Sequence, residues 1–136
     1  FNSDLVEELH QERQQVWSLY CNIAEQKPFS TSNKVQGLLN KFGQILVDYV
    51  SLGHFGIYER LLSGEERRES VLSQAKTMYP EFSKTTEAVI SFNDKYDEVA
   101  QPDLSIDSLE SDLSALGEHL AKRIDLEDQL CKLVLK

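Results

Sequence analysis

The chain has 136 residues, 40% apolar and 27% charged, a composition that suits one domain with a real core. Its 14 basic and 23 acidic side chains leave a net charge of −9, which disfavours nucleic acid, because phosphate binding relies on clustered Lys and Arg, and favours a basic protein surface. No apolar run approaches the ~18 residues of a membrane span.

The opening residues FNSDLVEELH are acidic and amphipathic, unlike a secretory leader. A helix is predicted over residues 4–26, with Ser3 as cap and Asp4 in the first turn, where a carboxylate meets the positive end of the dipole. Leu9, Val16 and Ile23 recur at seven residues and form its apolar stripe, with Leu5 and Tyr20 beside it. Pro28 stops it, and residues 27–32 read as a loop. The second helix starts near Asn33, capped by Thr31 or Ser32, and carries Val35, Leu38, Leu39, Phe42, Ile45, Leu46, Tyr49 and Val50 to at least Leu52. Gly53 and Gly56 are expected to bend it or to start a short new helix over residues 54–62, ended by Ser63 and Gly64.

Residues 65–79 predict a third, short piece, solvated at 65–69, with Val71, Leu72, Ala75, Met78 and Tyr79 on one face. Pro80 then suits the start of a new helix over residues 81–100, since proline is favoured at a first helical position. Phe82, Val89, Phe92, Tyr96 and Val99 give that helix its apolar face, and residues 101–103 end it. The last helix spans residues 106–134, with Ser105 as cap. Leu109, Leu113, Leu116 and Leu120 recur at three and four, continued by Ile124, Leu130, Leu133 and Val134, with Gly117 a weak point. No segment alternates apolar and polar residues long enough for a strand. The expected fold is all-α: an antiparallel four-helix bundle with additional short helices, in a single domain over residues 1–136.

On a helical wheel, Leu38, Phe42, Ile45, Leu46 and Tyr49 form the core stripe of the second helix. Lys41, Gln44, Asp48, Ser51, Leu52 and Phe55 form a second stripe about 120° away. An aromatic ring on a stripe that the core does not claim can anchor a partner, since interfaces favour aromatic anchors ringed by polar groups. Periodicity leaves a second outcome equally open, in which Gly53 breaks the helix and turns Phe55 inward.

Chemistry of other kinds finds little support. A di-metal bundle site needs Glu-x-x-His motifs on two facing helices. His10, His54 and His119 do not supply that pair, so no metal and no cofactor is expected. No nucleophile elbow, phosphate loop or Cys–His pair is suggested, and no enzyme is expected. Asp48 and His54 could meet across the bend, more plausibly as a structural hydrogen bond than as a dyad; His54 is expected to cap the helix or donate to a carbonyl, with Tyr58 and Glu59 supporting the bend. His119 and Lys122, in GEHLAKR, match the histidine and lysine spacing of a phosphotransfer bundle, but Arg123 stands where such domains have a small residue. Cys21 and Cys131, far apart and without C-x-x-C, fit free thiols in a reducing cytoplasm, an interhelical disulfide being the alternative.

Residues 46–62 read L-V-D-Y-x-S-x-G-H-F-x-I-Y-E-x-L-L, a run that resembles the bacterial Rsd/AlgQ anti-sigma regulators. WSLYCNIAEQKPF (17–29) looks like that family's first helix and following loop. MYPEFSKTTEAVISFNDKYD (78–97) looks like its third main helix in the AlgQ form, and ALGEHLAKRIDLEDQL (115–130) like its last. Residues 65–74 and 101–108 match poorly. The resemblance implies a cytoplasmic helical bundle that binds the C-terminal, −35-reading region of the housekeeping sigma factor and keeps it from RNA polymerase. It implies contact through Asp48, Ser51 and Phe55, with Leu52 beside them on the second stripe. The alternative is a signalling bundle, either a phosphotransfer carrier through His119 or a scaffold for a metabolic regulator.

Overall fold

A computed structural model of the chain describes residues 3–27, 29, 33–59, 61, 64, 67–96 and 108–134. The expected stop at Pro28, the caps at Thr31, Ser32 and Ser105, the break at Ser63, the apolar Val99 and residues 101–103 lie outside them, as do the side chains of Ser3 and Val134. Four long helices carry the fold: α1 (Ser3–Ala24), α2 (Asn33–Ser51), α3 (Glu69–Lys95) and α4 (Leu109–Val134). Each packs on the next, and α4 closes back on α1. Neighbours run antiparallel, as the cross-contacts show. Arg13 meets Asp128 while Tyr20 meets Leu113 across α1 and α4, and Lys95 meets Asp112 while Thr86 meets Arg123 across α3 and α4.

The heptad stripe of α1 forms the core as expected, with Leu9, Val16 and Ile23 all buried. Phe42, Leu46 and Tyr49 of α2 are completely buried, as are Leu109 and Leu120 of α4. Burial of each such side chain contributes roughly 1.5–3 kcal/mol before ordering costs. The expected weak point at Gly117 is a fitted contact. The Tyr20 ring lies over it, and its hydroxyl donates to the Leu113 carbonyl at 2.8 Å.

Two expectations are corrected. Pro80 does not start a helix; it lies inside the continuous α3. The reason is periodicity. The inward positions Val71, Ala75, Met78, Phe82, Thr85, Val89, Phe92 and Tyr96 alternate steps of four and three straight through the proline, so one unbroken helix puts both halves on one core. Pro80 itself is exposed, and the hydrogen bond it cannot make costs less than re-aiming that face.

Nor do Gly53 and Gly56 break α2. The helix widens into a π-helical segment, Leu52–Tyr58, whose amides pair five residues back: the Glu59 N–H bonds to the His54 carbonyl. Gly53 and Tyr58, five apart, are both buried, so the wider turn returns Tyr58 to the core. Phe55 between them points outward. Cys21 is exposed, Cys131 is buried, and both are free thiols. Burial pushes the Cys131 thiol up to about 11.

Candidate partner-binding site

The outer side of the junction between α2 and the π-helical segment carries Asp48, Ser51, Leu52 and Phe55. Asp48 is exposed, and Ser51 and Leu52 are half-buried. Phe55 is 61% exposed, more than Val47 or Ile90, the other large apolar side chains left in solvent among the described residues. The inward-turned alternative for Phe55 therefore does not occur. Its ring stands edge-on to the His54 imidazole, with centroids 4.9 Å apart at 87°. Leu52 and Leu5 of α1 both lie over Gly56, the residue that follows Phe55.

The expected role of His54 is also corrected, while Tyr58 supports the segment from the core as expected. Asp48 and His54 form no hydrogen bond, and the buried Nδ1 of His54 has no partner among the described residues. His54 is thus not a cap but an aromatic spacer between Phe55 and Tyr79. Tyr58 is a core ring, 1% exposed and packed 4.4 Å from Phe82. Its hydroxyl is buried without a partner among the described residues, and that burial holds its proton well above the ordinary phenol range.

Helix α1 adds carboxylates that periodicity on α2 could not reveal. Burial raises the Glu12 carboxyl above its ordinary range, and the neighbouring charges of Glu8 and Asp48 raise it further. Glu8 and Asp48 thus both lie within electrostatic reach of Glu12, which joins α1 to the acidic side of α2. No described group of three or more His, Cys, Asp or Glu side chains is arranged to hold a metal ion.

Beneath this face lies a charged hub. Arg123 is 0% and Glu127 2% exposed. Nε of Arg123 donates to Glu127 Oε2 at 3.2 Å, Nη1 to Thr85 and Thr86 at 3.2 and 2.7 Å, and Nη2 to the Val50 carbonyl at 3.3 Å. The guanidinium rests 3.9 Å over the Phe82 ring. The other Glu127 oxygen accepts from Arg13 of α1 at 3.2 Å and, in a short hydrogen bond, from the Tyr49 hydroxyl of α2. All four helices therefore meet in one ion pair.

Burial lowers Arg123 and raises Glu127, while their mutual attraction and the Tyr49 contact resist both shifts and Arg13 resists that of Glu127. Burial and Glu127 hold the Tyr49 hydroxyl well above its ordinary range, so it keeps the proton it donates. A sequence signal for the hub exists. Arg123 and Glu127 continue the steps of Leu109, Leu113, Leu116 and Leu120 into Leu130, so a charged pair stands in a core stripe.

Fold and site together define an all-α bundle with a buried ionic centre and an aromatic, acid-bordered outer face. The chain belongs to the Rsd/AlgQ family: the family described as "Regulator of RNA polymerase sigma(70) subunit, Rsd/AlgQ" matches residues 2–135. A protein named Regulator of sigma D from Yersinia enterocolitica serotype O:8 / biotype 1B is 31% identical over 132 residues, spanning 95% of this chain and 79% of that relative. Its namesake from Enterobacter sp. strain 638 is 35% identical over 125 residues, spanning 90% and 75%. No solved structure matches the chain. Regulation of a sigma subunit is a non-catalytic role, and the phosphotransfer alternative is not favoured. His119 is exposed, and Arg123, which stands where phosphotransfer domains have a small residue, lies in the core rather than on that surface.

Proposed function

We propose that this chain is an anti-sigma factor, acting as a single domain in the cytoplasm without cofactor or catalytic activity. Its partner is the C-terminal, −35-reading region of the housekeeping sigma factor, which it withholds from RNA polymerase. The binding face is Asp48, Ser51, Leu52 and Phe55. The observation that carries this reading is the 61% exposure of Phe55 beside Asp48 and Ser51, in a member of a family of sigma regulators.

The physical chemistry supports it. A helix-turn-helix that reads DNA is basic, and this chain carries −9. Opposite charge speeds encounter and fixes register more than it adds raw affinity. Phe55 and Leu52 supply the apolar anchor, and Asp48 meets an arginine that otherwise contacts DNA or polymerase. No described helix is long and apolar enough to cross a membrane.

Calorimetric titration against the isolated, folded C-terminal region of sigma at two salt concentrations tests this. One-to-one binding that weakens with salt is expected, with Phe55→Ala costing about 2–4 kcal/mol while the variant keeps its helical spectrum. No saturable binding to folded sigma would overturn the assignment.

A further inference from the structure

The geometry points to Arg123 as a positioning residue for the sigma-binding face: held by Glu127, it fixes from inside the junction between α2 and the π-helical segment, so that Asp48, Ser51 and Phe55 stand on one outer surface. This inference rests on the partner-binding reading above.

The contacts interleave along the helix. Tyr49 donates to Glu127, the Val50 carbonyl accepts from Arg123, and Gly53 lies directly on the pair. A Cβ on Gly53 would stand 2.9 Å from Arg123 Nη2 and 3.3 Å from both Glu127 Oε2 and Phe82 Cζ. Residues 49, 50 and 53 are thus held from within, and residues 48, 51, 52 and 55 are their outward neighbours. A shift of the inner three moves the outer four as a unit.

A hydrophobic core would secure the bundle at least as well. Ion pairs taken out of water gain little net stability, and replacing them with well-packed apolar groups is often neutral or stabilising. What the guanidinium supplies is direction. Its planar fork reaches two threonine hydroxyls on α3, a carboxylate on α4 and a carbonyl on α2 at once, which an apolar side chain cannot do. A π-helical segment is a rare and poorly self-sustaining geometry, so it gains most from such an external brace. Among the described residues, the Nδ1 of His54 and the hydroxyl of Tyr58 find no hydrogen-bond partner, so these side chains do not brace the segment through those atoms.

Arg123→Lys tests this, because it keeps the charge and loses the fork. Hydrogen exchange is followed amide by amide, together with affinity for the sigma C-terminal region. The expected result is lost protection confined to residues 50–58, retained protection in α1, α3 and α4, and affinity reduced on the order of tenfold or more. Thr86→Val, on α3 and remote from the outer face, removes the 2.7 Å bond from Arg123 together with the hydroxyl's own 3.4 Å bond to the Phe82 carbonyl within α3, and should give the same pattern in weaker form, so the test survives if the lysine variant fails to fold.

Unchanged protection of residues 50–58 would overturn the inference. So would protection lost evenly over all four helices, or local loss with undiminished affinity. If the parent protein did not bind sigma at all, the partner reading would fall, while the exchange pattern would still decide whether Arg123 braces the segment.

Discussion

Arg123 occupies the space that a side chain on Gly53 would need. Its Nη2 lies 2.9 Å from the point where a Cβ on Gly53 would stand, and it cannot swing aside without giving up partners on three helices. Gly53→Ala is therefore expected to destabilise by about 1–3 kcal/mol, despite alanine's better helix propensity. Gly37, earlier in the same helix, meets nothing within 4 Å. Gly37→Ala should stabilise by about 0.5–1 kcal/mol. Urea unfolding of the two variants checks the opposite signs, and equal shifts would remove the packing argument for Gly53.

Pro80 interrupts the hydrogen bonding of α3 at an exposed position. Replacing it restores an amide donor for the Lys76 carbonyl and removes a steric clash. Pro80→Ala should raise stability by about 2 kcal/mol, after allowing for the freer unfolded chain. A higher urea midpoint at unchanged slope is the expected reading. A lower midpoint would mean that the proline shapes α3 to its neighbours.

At the far end of α3, Lys95 and Tyr96 close on Asp112 in the first turn of α4, at 2.7 and 2.5 Å. Partial burial pulls the Asp112 carboxyl up, but hydrogen bonds from Lys95, Tyr96 and Ser108 and the Lys95 charge outweigh it and hold the carboxyl below its ordinary value. A carboxyl lowered on folding adds stability that is present above its unfolded value and lost as pH falls through its folded one. The contact is part-exposed, so Asp112→Asn should cost at most about 1 kcal/mol at neutral pH. Thermal melts of parent and variant should converge below about pH 3.8, the ordinary value. A gap that persisted in acid would assign the effect to packing rather than charge.

Glu12 titrates in the opposite sense. Burial, Glu8 and Asp48 raise its carboxyl, and a docked basic partner would favour the ionised form. Sigma binding should therefore weaken as pH falls through the raised value, and Glu12→Gln should flatten that dependence. Asp48→Ala should cost about 2–5 kcal/mol of binding if its partner arginine is buried and less at a rim. Binding measured in both variants as pH falls from neutral separates the contribution of Glu12 from that of the proposed face. Unchanged affinity in Asp48→Ala would count against the proposed face.

The helical class and the core stripes were legible because the 3.6-residue period repeats over long stretches. Leu9, Val16 and Ile23, or Leu109 through Leu120, leave no other economical fold. The family was legible from residues 46–62, where many positions match at fixed spacing. At Pro80 local preference and phase disagree: the apolar steps cross the proline unbroken, and burial of a continuous face outweighs one missing hydrogen bond. Arg123 and Glu127 present the reverse case, in which phase is right and residue type argues against burial. Charged residues in a leucine stripe read as surface until their partners are known.

By itself, then, the sequence determined an acidic all-helical chain of this family, since periodicity and a long motif are properties of neighbours along the chain. Tertiary structure alone decided that Phe55 stays in solvent, that α2 widens instead of breaking, and that Glu8 and Glu12 join Asp48. Each depends on groups far apart in sequence. Phe82, Arg123 and Glu127 lie against Gly53 from other helices, and only their packing selects the π-helical turn that leaves the aromatic ring outside.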